Sequence, residues 1–270
     1  MSARLRALAQ QNERIVAAGA YRAPDGREVS VAAQLRAARE GIRLYGPEPV
    51  PVSAERVTRT LIEVTGESSL QAARRLGGHV AVLNFASARN PGGGYLNGAR
   101  AQEEALCRAS ALYTCLLRAR AFYAHHRAHR DPFYTDRVIH SPAVPVFRDD
   151  RGGLLDEPYT AGFLTSPAPN AGVVLRKAPE RAPELPLALA TRAERVLETA
   201  AAHGYPSLVL GAWGCGVFRN DPTQVAEAFR GLLGPGGRFA EAFEHVTFGI
   251  LDRTPGQEVR GAFDRAFADR

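Results

Sequence analysis

The chain has 270 residues, 45% hydrophobic and 23% charged, with a formal net charge of +6. This is a globular composition, and the length suits one large domain or one domain with an extension, whose core needs no disulfide or metal. No run approaches the roughly 18 consecutive apolar residues of a membrane span. The three cysteines, with no CxxC pair, argue against a disulfide framework.

In chain order, Met1 to Arg6 lacks the apolar core of a secretory signal, so the cytoplasm is the expected compartment. Apolar residues at helical spacing predict helices over 2–19 (Leu5, Leu8, Ile15, Val16) and 30–42 (Val31, Leu35, Ala38, Ile42). Pro24-Asp25-Gly26 between them is a turn, and Gly46 to Pro51 is a stiff connector. The connector divides a helical extension, residues 1–52, from a main domain, residues 53–270. There the pattern predicts a strand over 59–65, a helix over 68–76 and a buried strand over 80–85. A glycine-rich loop and a helix over 101–119 follow. Strands are expected over 138–146 and 161–165, and surface loops over 149–158 and 166–184. The last elements are a helix over 185–203, a strand over 208–210, helices over 222–233 and 257–268, and between those two a strand over 245–251. Alternating strands and helices imply an α/β sheet covered on both faces.

Two loops carry the chemistry. The strand over 80–85 leads through Asn84, Ser87, Asn90 and Pro91 into Gly92, Gly93 and Gly94, and Gln102, Glu103 and Glu104 then open a helix. The second loop, Gly214-Cys215-Gly216-Val217-Phe218, also leaves a strand and precedes a helix. Ligands of open α/β sheets bind beyond the carboxyl ends of strands. Glycines there let backbone N–H groups approach phosphate closely. Each loop alone is explained by a tight turn, and acidic residues in a first helical turn are favoured by the macrodipole. Together the loops could cradle a diphosphate from two sides, where carboxylates would repel phosphate unless they had another task. Arginine supplies nearly all the positive charge, Lys177 being the only lysine, which suits a phosphate-bearing partner or a high-GC genome equally.

Three other features read as structural. His125, His126 and His129 have ligand-like spacing but sit in a basic run, so a solvated helix end is favoured over a zinc site. Cys215 reads as a loop-packing thiol and Trp213 as a core residue.

Three glycines, a seven-residue spacer (Tyr95 to Ala101) and Gln-Glu-Glu resemble the signature of the poly(ADP-ribose) glycohydrolases, and Gly211 to Pro222 resembles the second loop of their bacterial-type branch. The resemblance covers roughly residues 55–270. It implies a macrodomain-like three-layer αβα sandwich with a mixed central sheet, preceded by helices. Its implied activity is hydrolysis of the ribose–ribose O-glycosidic bonds of poly(ADP-ribose), mainly from chain ends, in reversal of ADP-ribosylation such as the DNA damage response uses. By resemblance Glu104 is the catalytic acid/base and Glu103 binds the ribose hydroxyls. Asn90 orients the terminal ribose, and Gly92, Gly93, Gly94 and Gln102 belong to the substrate-binding loop and helix start. Gly214, Cys215, Gly216 and Val217 bind the diphosphate, and Phe218 presses on the distal ribose. Val80 stands near where binding-only macrodomains commonly carry an adenine-binding Asp, so adenine contacts are not transferred. No cofactor or metal is implied. The expected partners are poly(ADP-ribose), ADP-ribose and poly-ADP-ribosylated proteins, with no membrane or direct nucleic-acid contact, and the chain is expected to be a monomer. A macrodomain that binds ADP-ribose without cutting is the alternative, and Gln102-Glu103-Glu104 argues against it.

Overall fold

The computed structural model describes residues 2–52 and 59–268. Helix α1 (Ala3–Ala18) opens at Ser2, whose hydroxyl accepts from the Leu5 amide. It closes at Gly19, whose φ of 71° lets its N–H return to Ile15 O. Strands β1 (Ala20–Arg22) and β2 (Glu28–Ser30) form a hairpin around the expected Pro24-Asp25-Gly26 turn. Helix α2 (Ala32–Glu40) and strand β3 (Arg43–Tyr45) follow. Strand β4 (Leu61–Thr65) leads to helix α3 (Ser69–Leu76), which a Ser68–Gln71 capping box opens. The buried strand β5 (Val80–Phe85) forms as expected. Helices α4 (Gln102–Ala109), α5 (Leu112–Leu116) and α6 (Arg120–Ala128) precede the long strands β6 (Val138–Arg148) and β7 (Leu154–Ser166). Then come α7 (Ala171–Lys177), α8 (Leu185–Ala202), β8 (Ser207–Leu210), α9 (Pro222–Leu233), β9 (His245–Gly249) and α10 (Glu258–Ala266).

Seven strands form one sheet in the order β3-β6-β7-β5-β8-β9-β4. The five from β7 to β4 are parallel, and β6 runs antiparallel to both its neighbours. Alternate side chains of β5 serve opposite faces. Val80 and Val82 pack with the cluster that includes α1 to α5, and Ala81 and Leu83 with the cluster of α8, α9 and α10. The result is the expected three-layer αβα sandwich with a mixed central sheet. Besides their two helices, residues 1–52 hold the β1–β2 hairpin and the edge strand β3 beside β6. The boundary expected between 52 and 53 borders residues 53–58, which lie outside the described residues. Among the described residues no helix is long and apolar enough to cross a membrane.

Three local expectations are corrected. The helix expected over 101–119 breaks after Ala109, where Ser110 bridges to Val146 of β6 and the Ala111 amide donates to Pro145 O at 3.0 Å. The Ser110 hydroxyl donates back to Leu106 O, a local bond that competes with continued helix. The loop expected over 149–158 is a tight hairpin between β6 and β7, whose paired register reaches Arg148 opposite Leu154. Pro158 and the charged residues around it disguised the first half of β7, whereas β6 forms as expected, with a register shift between Ser141 and Val144 that accommodates Pro142. The loop expected over 166–184 contains α7, capped by Asn170, and a 3₁₀ turn over Pro179–Glu184.

Candidate active site

The site lies beyond the carboxyl ends of β5 and its parallel neighbour β8. After β5 the chain turns through Asn90 to Gly94 by way of left-handed backbone at Gly92 (φ 65°) and Gly93 (φ 57°). Both positions need glycine for space as well as conformation. A Cβ on Gly92 would stand 2.8 Å from the Tyr113 ring, and one on Gly93 would collide with Glu104 Oε1 and lie 3.0 Å from Glu103 Oε2. The triple glycine is therefore the backbone that lies directly on the carboxylate pair. Asn90 is exposed at the loop's start, its amide donating to Ser87 Oγ at 3.2 Å.

Gln102, Glu103 and Glu104 form the first turn of α4, and both carboxylates are buried, at 2% and 7% exposure. Their hydrogen bonds differ. Glu103 spends both oxygens on protein, accepting from the Ser87 amide at 2.8 Å and from Asn84 Nδ2 at 3.2 Å. Burial is the largest influence on its carboxyl and pushes its pKa up to about 8; the Ser87 and Asn84 bonds oppose that rise and the neighbouring Glu104 adds to it. Glu104 accepts from the Gly94 amide at 2.8 Å through Oε1, while its buried Oε2 has no partner. Gln102 ties the helix to the strand: Oε1 accepts from the Phe85 amide at 2.9 Å, and Nε2 donates to Leu83 O and Ser69 Oγ. Its amide is thus engaged by protein groups while one side of it faces the adjoining cleft.

The second loop leaves β8 at Gly211, where a Cβ would meet Gly249 O at 2.8 Å. Asn220 draws the loop closed: its amide and Nδ2 both donate to Gly214 O at 3.1 Å, and Nδ2 also to Pro169 O. Gly214 takes φ 72°, and a Cβ on Gly216 would point into open space. Val217 is 80% exposed, while Phe218 is half-buried with its ring 5.9 Å from that of Tyr134. Burial pushes the Cys215 thiol up to about 12, which leaves it protonated and unsuited to attack as a thiolate, in keeping with a packing role. Trp213 is a core residue at 1% exposure, its indole N–H held by Ser166 O.

A cleft of about 560 Å³ opens between the two halves of this arrangement. Gln102 and Ala105 of α4 line one side, Cys215 and Gly216 another, and the segment Gly249 to Thr254 after β9 a third. Leu70, Phe85, Leu106 and Ile250 make its walls largely apolar, with Arg100, Asp150, Asp252 and Arg253 at the polar positions. Of the expected site residues only Gln102, Cys215 and Gly216 line this cleft. Asn90, Gly92 to Gly94, Glu103, Glu104, Gly214, Val217 and Phe218 lie outside its lining, although Glu103 and Glu104 share the first turn of α4 with Gln102. Sequence reasoning missed the contribution of Ser69 and of Gly249 to Thr254. Those residues carry no motif and come to the site only because β9 ends beside β8, and β4, which leads into α3, ends beside β9.

The histidine run needs a correction. His125 and His129 are stacked 4.1 Å apart at the end of α6, but His126 is fully buried. Its Nδ1 lies 2.9 Å from Phe122 O and its Nε2 2.8 Å from Thr135 Oγ1, so the ring donates from one nitrogen and accepts at the other. Burial lowers its pKa to about 4, and it is a neutral core residue rather than part of a solvated helix end.

The chain thus joins a macrodomain-like sandwich to a buried carboxylate pair under one glycine loop, with a second glycine loop beyond the neighbouring strand. The family model of the microbial-type PARG (poly(ADP-ribose) glycohydrolase) catalytic domain matches residues 9–149. The crystal structure of poly(ADP-ribose) glycohydrolase from Thermomonospora curvata is 49% identical, with a TM-score of 0.94 over 98% of this chain and 100% of that one. The same enzyme bound to the inhibitor ADP-HPD is similar at a TM-score of 0.90, with 49% identity and the same coverage. The enzyme from Deinococcus radiodurans in complex with ADP-ribose is 46% identical, with a TM-score of 0.80 over 86% of this chain and 96% of that one. No curated protein sequence matches. The chain belongs to the microbial-type poly(ADP-ribose) glycohydrolase family.

Proposed function

We propose that this chain hydrolyses the ribose–ribose O-glycosidic bonds of poly(ADP-ribose) and releases ADP-ribose, with Glu104 as general acid and then general base. The observation that carries the assignment is the buried, unpartnered Glu104 Oε2, whose sister oxygen Oε1 is held by the Gly94 amide of the first glycine loop. A buried carboxyl oxygen without a partner is costly unless substrate supplies one. In its protonated form Glu104 donates to the leaving 2′-oxygen as the bond to the anomeric carbon breaks. The carboxylate so formed then takes a proton from the attacking water. Positive charge developing on the ribose is offset by the adjoining diphosphate, which the backbone of Gly214 to Val217 receives.

Glu103 is cast as a positioning group. Adjacent residues of one helical turn cannot take opposite faces of a sugar, as the two carboxylates of ordinary glycosidases do. Its fixed oxygens, tied to Ser87 and Asn84, suit hydrogen bonds to ribose hydroxyls at a constant place. Asn90 orients the terminal ribose and Phe218 packs on it. The apolar cleft beyond Gly216 has the size and walls for the adenosine half of the ligand. In this reading the enzyme works mainly from chain ends, as a cytoplasmic monomer acting on polymer attached to proteins.

The test is incubation of wild type and Glu104→Gln with purified poly(ADP-ribose), followed by chromatography for free ADP-ribose. Wild type releases ADP-ribose, and the variant is slower by about 10²–10⁴-fold, the usual worth of a general acid/base. Titration of ADP-ribose should still show binding by the variant. Release at the wild-type rate by Glu104→Gln would remove the assignment.

A further inference from the structure

Helix α1 approaches the site from outside the sheet and holds it at three points. Asn12, fully buried, donates from Nδ2 to Cys107 O at 3.0 Å and to Ser110 O at 3.1 Å, where α4 ends. The Asn12 Oδ1 in turn accepts from the buried Arg148 at 2.9 Å. Tyr95, 1% exposed, places its hydroxyl 3.2 Å from Ala9 O and 3.0 Å from Glu13 Oε1, so its O–H donates to acceptors on α1. At the start of the helix the Ser2 amide donates to Gly98 O at 3.2 Å, and a Cβ on Gly98 would collide with Ser2 O.

The second grip has a chemical consequence. Tyr95 directly follows Gly94, whose N–H is the hydrogen-bond partner of Glu104 Oε1. The Tyr95 ring packs on Tyr113 at 5.0 Å, and Tyr113 also lies under Gly92. The Tyr95 amide donates to Gly92 O at 3.0 Å, so Tyr95 closes the turn that contains the Gly93–Gly94 peptide whose N–H orients the carboxyl. A shift of Tyr95 loosens that turn, and a carboxyl released from it can rotate its free oxygen away from the scissile bond. Misplacement on the order of 1 Å is enough to slow a positioned reaction by about 10²-fold.

We propose that α1 is a clamp that sets the orientation of the catalytic carboxyl, with Tyr95 and Glu13 as positioning residues. The proposal rests on Glu104 being the acid/base. It gives the N-terminal segment a role in turnover beyond completing the fold.

The experiment compares full-length Tyr95→Phe, Glu13→Ala and Glu13→Gln with wild type. The readouts are kcat and KM on poly(ADP-ribose), calorimetric Kd for ADP-ribose and thermal midpoint. Tyr95→Phe and Glu13→Ala should lower kcat by about 10- to 100-fold, with KM and Kd within about twofold of wild type. Glu13→Gln keeps an acceptor oxygen for the Tyr95 hydroxyl and should keep the wild-type kcat. Wild-type kcat in Tyr95→Phe and Glu13→Ala overturns the clamp. So does a Glu13→Gln enzyme as slow as Glu13→Ala, or a loss of kcat that KM and Kd share. Should Tyr95→Phe fail to fold, the two Glu13 variants decide alone. Wild-type turnover by Glu104→Gln would instead remove the reading beneath the proposal, an outcome distinct from failure of the clamp.

Discussion

Glu103 and Glu104 are neighbours on one turn of α4, yet their surroundings divide the labour. The oxygens of Glu103 are both tied to protein, whereas the buried Oε2 of Glu104 has no partner among the described residues. Burial raises the pKa of Glu103 from 4.5 to about 8, so the folded protein binds its proton more tightly than the unfolded chain does. The resulting stabilisation is fully present below the unfolded value and is lost as pH rises through the folded one. Scanning calorimetry of wild type from pH about 5 to about 8 should therefore show a falling midpoint, and Glu103→Gln should flatten that slope. Equal slopes in the two proteins would show that Glu103 does not titrate in this window.

At the scale of elements, the regular helices were legible because their apolar spacing and caps are local properties. The helix expected over 222–233 forms as α9, capped by Asp221, whose Oδ1 accepts from the Thr223 amide at 2.7 Å. The glycine loops were legible for a similar reason, since left-handed backbone at Gly92, Gly93 and Gly214 leaves few other residues possible. The break at Ser110 was not, because it depends on a bridge to Val146, distant in sequence. Tyr95 and Asn12 were missed as supports of the site for the same reason: nothing near them shows that a helix start and a loop will meet. The connector Gly46 to Pro51 was recognised as stiff, but its anchor was not. The Val50 amide donates at 2.8 Å to Glu198, a fully buried residue of α8 that also pairs with Arg195 and Arg238. Glu198→Ala leaves the buried Arg195 with Glu194 as its remaining carboxylate and the Val50 amide without its acceptor, and should cost about 3 kcal/mol in chemical denaturation, the low end of the penalty for breaking a buried pair. A loss below about 1 kcal/mol would place the pair among solvent-screened surface bridges.

Across the whole molecule, the sheet order explains why residues far apart in sequence make one site. Strands β5, β8 and β9 are adjacent and parallel, so their carboxyl ends present the first glycine loop, the second glycine loop and the Gly249 to Thr254 wall side by side. The crossing helices cover both faces of the sheet and leave that edge open, as open α/β folds do. A net charge of +6 favours encounter with a polyanionic substrate, whereas the cleft itself balances Arg100 and Arg253 against Asp150 and Asp252. The most direct measurement is a crystal structure of Glu104→Gln soaked with a short poly(ADP-ribose) oligomer. The account predicts the side chain of residue 104 within about 3 Å of the bridging 2′-oxygen, with the adjoining diphosphate against the backbone of Gly214 to Val217. A glycosidic bond bound away from residue 104, or a diphosphate seated elsewhere, would contradict it.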